Sequence, residues 1–268
     1  MTATGSYASN LASVTQLCAL AQAAGAKFLC LPECFSYIGM SAQETVAQAS
    51  SLEGEKFGAF CELAKTHKLW LSCGGFHEKM NEEKVYNSHV IIDDLGKIVE
   101  TYRKMHLFDV AIPGGAVLME SKTTTAGPAR CCVVDTPVGK IGLTTCYDLR
   151  FPEVYVALSR AGADVILVPS AFTVPTGRDH WHLLLRARAV ESQCYVAAAA
   201  QVGIHNDKRA SYGHALGVDP WGLVLADAEE ESPTIVTIDI DHDKINKIRT
   251  RMPIQSHRRN DVLKLLNN

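Results

Sequence analysis

Residues 144–153 read TTCYDLRFPE, a short stretch that joins a predicted strand to a predicted helix. The apolar run from Lys140 to Leu143 precedes it and is typical of a strand, while Pro152 is well placed to open a helix. Cys146 therefore lies on the corner between the two elements. A cysteine at such a corner could be a small buried hydrophobe, a metal ligand, half of a disulfide or a nucleophile.

The alternation of helices and strands on either side of this corner predicts an α/β fold. Apolar residues at helical spacing predict a first helix capped by Asn10 and a second that contains residues 57–64. Two further helices are predicted over residues 152–161 and 179–192. Short apolar runs predict strands at residues 27–31, 69–73, 140–143, 164–168 and 194–200. Because these strands are apolar on both faces, we expect a sheet covered on both sides, at least one of them by helices.

Two predicted hairpins interrupt the alternation. Residues 90–100 turn at Asp94 to Gly96, and residues 215–225 turn at Asp219 to Gly222. Each half of the chain then runs helix, strand, helix, strand, hairpin. Two similar halves predict a pseudo-twofold sandwich, with two sheets face to face and the helices outside.

The overall composition is that of an ordinary globular protein. The chain has 268 residues, is 47% hydrophobic and carries a formal net charge of −3, and without an evident linker we expect one domain over residues 1–268. A near-neutral chain lacks the clustered basic surface that binds nucleic acid or an anionic membrane. No stretch reaches the roughly 18–20 apolar residues that span a bilayer, and residues 1–10 lack the features of a signal peptide. We therefore expect neither nucleic acid nor a membrane as a partner.

The cysteine usage indicates a reducing compartment. Nine cysteines are an odd number, and most of them lie inside apolar runs, as free thiols acting as small hydrophobes do. Zinc is not expected, because Cys30 and Cys34 have no second ligand pair at finger-like spacing. We expect a cytoplasmic protein.

Two charged residues have both a functional and a structural interpretation. Glu33 follows the strand at residues 27–31 directly, and ligands of open α/β sheets bind at the carboxyl ends of strands. It could equally be a solvated loop carboxylate or a helix-capping partner, as most such residues are. Lys104 follows the second strand of the first predicted hairpin, and taken alone it is interpreted as an exposed charge.

Cys146 has more context than the other cysteines. The strand before it and the helix after it place the sulfur on a tight turn, the geometry that presents a nucleophile to substrate. Tyr147, Asp148 and Arg150 make its surroundings polar, which argues against a structural thiol, although that interpretation remains open. No spacing singles out a histidine partner, so we expect structural imidazoles at His106, His180, His182 and His214.

Three segments in this order resemble the signature segments of the nitrilase (carbon–nitrogen hydrolase) superfamily. They are FLCLPECF at residues 28–35, YRKMHLFDV at 102–110 and TTCYDLRFPE at 144–153. The likeness extends through residues 169–201 and 209–222, which look most like the deaminated-glutathione amidase branch. The ω-amidase branch usually differs in the segment before Gly213-His214.

The resemblance implies a fold, an assembly and a set of site residues. The fold would be a four-layer α-β-β-α sandwich that forms homodimers or larger homo-oligomers and uses no cofactor or metal. The catalytic residues would be Glu33, Lys104, Cys146 and Glu120. The substrate-binding residues would be Tyr147, Arg150, Phe172 and Thr176.

The implied reaction hydrolyses a small-molecule amide through a cysteine thioester. Lys104 would lower the pKa of Cys146 and, with the backbone N–H of Tyr147, stabilise the oxyanion. Glu33 would serve as general base and acid, Glu120 would orient Lys104, and Arg150 would bind a substrate carboxylate. The expected substrate is deaminated glutathione, in a metabolite-repair role, with ammonia and an α-keto acid peptide as products. The alternatives within the superfamily are an ω-amidase acting on α-ketoglutaramate and a carbamoyl-β-alanine hydrolase. A further alternative is a truncated, inactive member that acts only by association.

One departure from the family pattern carries its own expectation. Family members begin with a β-strand, whereas this sequence starts at Met1-Thr2. We therefore expect the first strand to be absent, which would leave backbone groups of the neighbouring strand unpaired. A mitochondrial or plastid form made from a longer transcript is compatible with this start.

Overall fold

The computed structural model describes residues 1–111, 117–259 and 261–262. Its helices are α1 (Tyr7–Ala23), α2 (Ala42–Gln48), α3 (Glu55–His67), α4 (Pro152–Arg160), α5 (Val174–Ser192), α6 (His242–Arg251) and α7 (Ile254–His257). In these ranges no helix combines the length and the apolar character that crossing a bilayer requires.

Fourteen strands are present in the described ranges. Those of the first half are β1 (Phe28–Leu31), β2 (Trp70–Lys79), β3 (Val85–Ile92), β4 (Ile98–Arg103), β5 (Asp109–Ala111), β6 (Val117–Met119) and β7 (Val133–Thr136). Those of the second half are β8 (Gly139–Leu143), β9 (Val165–Leu167), β10 (Tyr195–Ala198), β11 (Val202–Asn206), β12 (Arg209–Tyr212), β13 (Leu216–Val218) and β14 (Val224–Asp227).

The strands form two main sheets. The first has the order β1-β2-β3-β4, with β1 and β2 parallel and the other pairs antiparallel. The second has the order β14-β13-β10-β9-β8-β7, with β8, β9 and β10 parallel. Both sheets therefore contain a parallel pair followed by two antiparallel strands, and this repeat confirms the predicted pseudo-twofold arrangement.

Three apolar clusters show that the fold is the expected four-layer α-β-β-α sandwich. Between the sheets, Ile91 and Tyr102 of the first pack with Ile141, Val165 and Tyr195 of the second. On the outer face of the first sheet, residues of α1 and α3 form a second cluster with β1 and β2. On the outer face of the second sheet, α4 and α5 form a third. Because every layer buries apolar side chains on its neighbour, burial holds the strand ends in fixed relative positions.

Two predicted helix starts were wrong. Helix α1 begins at Tyr7 with Ser6 as its N-cap, and Asn10 lies inside the helix. The Asn10 side chain is buried, and its polar atoms bond the Thr4 N–H and the Ser36 carbonyl. The local sequence does not reveal these contacts. Helix α5 begins at Val174 rather than Asp179, since Pro175 is tolerated in its first turn.

Both predicted hairpins are present, as β3–β4 and β13–β14. Three further hairpins, β5–β6, β7–β8 and β11–β12, were not predicted. Their strands are three to five residues long. Strands this short carry too little alternation to stand out. Strands β13 and β14 are equally short, and their hairpin was predicted from the turn residues Asp219 to Gly222 between them.

Candidate active site

Cys146 lies at a strained corner of the second sheet. Strand β8 ends at Leu143, and a 3-10 turn over Cys146–Arg150 leads into α4. The backbone of Cys146 has φ 47°, a left-handed conformation that non-glycine residues rarely adopt, and its N–H donates to the Pro169 carbonyl at 2.9 Å. Such strain is concentrated at functional sites. The thiol is almost entirely buried, with the residue 8% exposed.

Asp148 anchors this corner to the segment that carries Lys104. Its carboxylate is fully buried and accepts from the Thr145 N–H at 2.8 Å and the Tyr102 hydroxyl at 2.6 Å. It also accepts from the backbone N–H of His106 at 3.2 Å and from its Nδ1 at 2.7 Å. From the sequence, Asp148 was expected only to be a polar neighbour of the cysteine. The structure shows that it joins the two sheets beside the thiol.

Glu33 follows β1, as predicted, and its carboxylate faces inward. Oε1 accepts from Lys104 Nζ at 3.0 Å and from Asn87 Nδ2 at 2.9 Å, and Oε2 accepts from the Ala171 N–H at 3.0 Å. The Cys146 thiol donates a further hydrogen bond to this carboxylate. The interpretation of Glu33 as a solvated loop carboxylate is therefore excluded, because the residue is only 4% exposed.

Lys104 lies between two carboxylates at the end of β4. Its ammonium is 3.0 Å from Glu33 and 2.9 Å from Glu120, with the lysine side chain 2% exposed. Because Lys104 is buried, its interpretation as an exposed charge is wrong. The two carboxylates compensate the free-energy cost of burying its charge. An ammonium has three N–H donors, and these ion pairs use two of them.

Glu120 is placed to orient the lysine. It begins a 3-10 turn, and its Oε2 accepts from the Phe108 N–H at 2.7 Å as well as from Lys104. Asn87 of β3 also donates to Glu120 Oε1, at 3.2 Å, so one amide bridges both glutamates. Nothing in the sequence marked Asn87, which lies in β3 beside the polar residues Ser88 and His89.

The charges of this cluster differ from the expectation in one respect. Burial, and then the charge of Glu33, raise the pKa of the Cys146 thiol well above its ordinary value, and Lys104 only partly opposes this shift. Burial alone would raise the pKa of Glu33, but the Lys104 cation and the hydrogen bonds from Cys146 and Asn87 hold it below the ordinary value. Burial would lower the pKa of Lys104, but Glu120 and then Glu33 raise it well above the ordinary value. The free site thus holds a neutral thiol beside an ionised carboxylate. Lys104 acts to lower the pKa of the thiol, as predicted, but burial and the Glu33 charge outweigh it.

Three of the four predicted substrate-binding residues lie together. The Arg150 guanidinium lies 6.0 Å from the ring centre of Tyr147 and 5.7 Å from that of Phe172. No described carboxylate forms an ion pair with Arg150, whose Nη2 lies 3.3 Å from His180 Nδ1. Thr176 lies in the first turn of α5, where its hydroxyl is 2.8 Å from the Thr173 hydroxyl.

Among the described contacts, none of the four histidines considered in the sequence analysis bonds the Cys146 thiol. His106 bonds Asp148 and stacks on Phe151 with ring centres 3.7 Å apart, and His180 contacts Arg150. His182 Nε2 and His214 Nδ1 both bond Asp227, at 2.9 and 3.0 Å. The prediction of structural imidazoles is confirmed for these contacts.

Among the described residues, His182, His214 and Asp227 form a group whose geometry could hold a metal ion. One ligand atom from each lies within 4.8 Å of the others. Their existing hydrogen bonds already connect α5 to β14, so the group has a structural role without an ion.

Comparison with known proteins gives a consistent result. The carbon-nitrogen hydrolase family profile matches residues 3–250. The deaminated glutathione amidases of Bos taurus and Homo sapiens are each 45% identical over 98% of this chain and 81% of their own. A nitrilase and fragile histidine triad fusion protein from Drosophila melanogaster is 45% identical over 99% of this chain, which spans only 57% of the fusion protein's length.

Solved structures show the same fold. The C. elegans NitFhit protein superposes with a TM-score of 0.88 at 41% identity, covering 98% of this chain and 64% of the other. Saccharomyces cerevisiae Nit3, described as a member of branch 10 of the nitrilase superfamily, superposes with a TM-score of 0.83 at 30% identity, covering 94% of this chain and 91% of the other.

Proposed function

The chain belongs to the carbon–nitrogen hydrolase family and is a hydrolase that acts on amides, and from this premise we propose that it hydrolyses deaminated glutathione through a thioester on Cys146. The observation that carries the proposal is the buried contact of Glu33 with both the Cys146 thiol and Lys104. The relatives named deaminated glutathione amidase support the choice of substrate.

Glu33 begins the reaction as the general base. Its carboxylate is ionised and hydrogen-bonded to the neutral thiol, so it takes the proton as the sulfur attacks the amide carbon. The cysteine therefore does not have to be ionised before substrate binds, and burial disfavours that ionisation. The new C–S bond leaves negative charge on the carbonyl oxygen.

Lys104 stabilises that oxyanion. With two N–H bonds held by Glu33 and Glu120, the third is available to the oxygen, and the backbone N–H of Tyr147 is the second donor that we propose. Each such donor contributes about 3–4 kcal/mol to transition-state stabilisation. Glu120, held by Phe108 N–H and Asn87, orients the ammonium.

Two proton transfers complete the cycle. Glu33 returns the proton to the amine as the C–N bond breaks, which leaves an acyl thioester on Cys146. Glu33 then takes a proton from water, whose oxygen attacks the thioester carbon, and the thiol is restored when the C–S bond breaks.

The bond that breaks decides the products. In deaminated glutathione an amide joins a 2-oxo acid to the amino group of cysteinylglycine, so its hydrolysis yields 2-oxoglutarate and cysteinylglycine. The ammonia and α-keto acid peptide expected from the sequence do not balance for this bond. Ammonia is released from a primary amide such as α-ketoglutaramate.

Substrate recognition is proposed for Arg150 and its neighbours. The guanidinium has no carboxylate partner among the described residues and can bind the carboxylate of the 2-oxo acid bidentately. Tyr147, Phe172 and Thr176 complete the lining of the pocket in this proposal.

A product assay tests the proposal. Wild type and Cys146→Ala are each given deaminated glutathione and α-ketoglutaramate, with cysteinylglycine, ammonia and 2-oxoglutarate measured. We expect wild type to prefer deaminated glutathione and the variant to lose turnover on both. A preference for α-ketoglutaramate would identify an ω-amidase. A folded wild type that acts on neither would support the inactive, associating alternative.

The assembly and location are also proposed. Exposed apolar side chains lie on α5 (Leu183, Val190) and on the adjoining β13–β14 hairpin (Trp221, Leu223), whose turn is tied to the helix by Arg186. We propose that a second copy covers this surface in a homodimer or larger homo-oligomer. Light scattering should give at least twice the chain mass, and a monomer at micromolar concentration would contradict this.

All nine cysteines are free, which supports a cytoplasmic protein.

A further inference from the structure

A second guanidinium faces the candidate site from the hairpin β11–β12. Arg209 opens β12, and although part of the residue is exposed, its guanidinium lies among protein groups near Cys34 and Glu33; no described carboxylate forms an ion pair with it. Its side chain instead donates a hydrogen bond to the thiol of Cys34, the residue after Glu33. A cation without an ion-paired carboxylate among the described residues can take the carboxylate of a ligand as its partner.

The hairpin is fixed in place on both sides. Asn206, which pairs with Arg209, donates from Nδ2 to the Gly39 carbonyl at 3.0 Å. Tyr212 N–H donates to the Phe172 carbonyl at 3.0 Å. Arg209 is therefore held between the segment that follows Glu33 and the loop that carries Phe172.

The electrostatic effects of Arg209 locate its charge on the Glu33 side of the site. Burial and then the Arg209 charge lower the pKa of His77 to about 4. Burial and then Glu33 raise the pKa of Cys34 to about 12, and Arg209 opposes that shift. Glu33 and Cys146 are also within reach of the guanidinium charge.

Arg150 has different neighbours. It contacts Tyr147, Phe172 and His180, and it follows Cys146 in the same turn. The two guanidinium groups thus have different neighbours: Arg209 lies near Cys34 and Glu33, and Arg150 lies near Tyr147 and Phe172. In the proposed mechanism Glu33 protonates the departing amine, so the leaving group lies on the side of Arg209.

We propose that Arg209 binds a carboxylate on the leaving-group side of the substrate, and so selects peptidyl amides whose amine ends in a carboxylate over primary amides. This inference rests on the proposed function and deepens it. In deaminated glutathione the group would be the carboxylate of the terminal glycine, while Arg150 binds that of the 2-oxo acid. A primary amide such as α-ketoglutaramate offers nothing to Arg209.

The test compares Arg209→Gln with Lys208→Gln, a neutralisation at the next position of the same hairpin. Both variants and wild type are assayed on deaminated glutathione, on its glycine carboxamide analogue and on α-ketoglutaramate. Loss of a charged bidentate contact should raise KM of Arg209→Gln for deaminated glutathione about ten- to hundred-fold with little change in kcat. On the other two substrates its kcat/KM should stay within about two-fold of wild type, and Lys208→Gln should match wild type throughout.

The possible outcomes separate the two proposals. Equal losses for Arg209→Gln on all three substrates, or no loss on deaminated glutathione, would overturn the Arg209 assignment while leaving the amidase intact. Wild type without activity on deaminated glutathione would overturn the proposed function, and the Arg209 assignment with it. Arg209→Lys, which keeps the charge but loses the fork of donors, should recover only part of the loss.

Discussion

Glu33 Oε1 lies 3.0 Å from Lys104 Nζ, although 71 positions separate the two residues and both side chains are buried. The contact joins the end of β1 to the end of β4 in one sheet, and the Cys146 thiol of the other sheet bonds the same carboxylate. Desolvation of a buried ion pair offsets most of the stability that its attraction contributes. We therefore assign this pair a role in catalysis rather than in stability.

Glu33→Gln tests the general base. The amide cannot accept the thiol proton, so kcat/KM should fall by about 10²–10⁴-fold. Because the Glu33 charge helps to raise the pKa of Cys146, the variant should also show a lower thiol pKa. The pH dependence of iodoacetamide alkylation at Cys146, followed by peptide mass spectrometry, measures this shift. Glu62→Gln, at an exposed glutamate, is the control, and an unchanged alkylation midpoint in Glu33→Gln would refute the charge effect.

Lys104→Met tests the buried cation. It leaves Glu33 and Glu120 facing each other without compensation, so the free energy of unfolding at pH 7 should fall by about 3–5 kcal/mol. The lowered pKa of Glu33 stabilises wild type above the ordinary carboxylate pKa, and this is lost as the pH falls through the lowered value. The deficit of the variant should therefore shrink in acid. Urea unfolding at pH 7 and at about pH 3, on either side of the ordinary carboxylate pKa, checks this.

Lys79→Met is the matched control for that experiment. Lys79 also pairs with a glutamate, Glu82, at 2.6 Å, but both side chains are largely exposed. Its loss should cost less than about 1 kcal/mol. Equal destabilisation by the two substitutions would show that burial of Lys104 has no special consequence.

Asp148→Asn tests how the corner is positioned. The carboxylate accepts hydrogen bonds from Thr145, Tyr102 and His106, and an amide nitrogen cannot accept from any of them. We expect a loss of about 1–3 kcal/mol in unfolding free energy, together with a fall in kcat while KM changes little. Asp135→Asn, at a carboxylate that is 88% exposed, should change neither quantity. A stable Asp148→Asn enzyme with full kcat would exclude the positioning role.

The buried histidines predict acid sensitivity. His89 donates from Nδ1 to the Thr144 carbonyl at 2.8 Å and bonds Ser72 through Nε2, and burial lowers its pKa to about 4. Burial also lowers the pKa of His77 and His205 to about 4. Between the ordinary value of about 6.5 and about 4 the unfolded chain binds more protons, so stability falls as the pH falls.

The magnitude of this effect can be measured by urea unfolding at pH 7, 6 and 5. Each buried histidine should contribute up to about 1.4 kcal/mol per pH unit within that window. His89→Gln should flatten the dependence, whereas His257→Gln, at an exposed histidine, should leave it unchanged. An identical slope in wild type and His89→Gln would contradict the assignment of a buried, neutral imidazole.

The catalytic positions could be predicted because each lies in a short segment with a strong local pattern. Glu33 and Cys146 both follow short apolar strands, and the carboxyl ends of strands are where α/β folds expose reactive groups. The alternation of elements and the β3–β4 and β13–β14 hairpins were predictable for the same reason. Their periodicity is encoded within windows of about ten residues.

The supporting residues could not be predicted, since their roles come from partners far away in sequence. Asn87 contacts Glu33 across 54 positions, and Asp148 contacts Tyr102 across 46. The burial of Lys104 depends on two glutamates from other elements. One of these, Glu33, also helps to raise the pKa of the Cys146 thiol. Asn10 was mistaken for a cap because its partner Ser36 lies outside any local window.

The most direct test of the account is to trap the acyl group. Wild type is mixed with deaminated glutathione, quenched in acid within one turnover, digested at low pH and mapped by mass spectrometry. The account predicts a 2-oxoglutaryl group on the peptide that contains Cys146, absent when Cys146→Ala is treated in the same way. Active turnover with no acylated peptide, or with the acyl group on another residue, would contradict it.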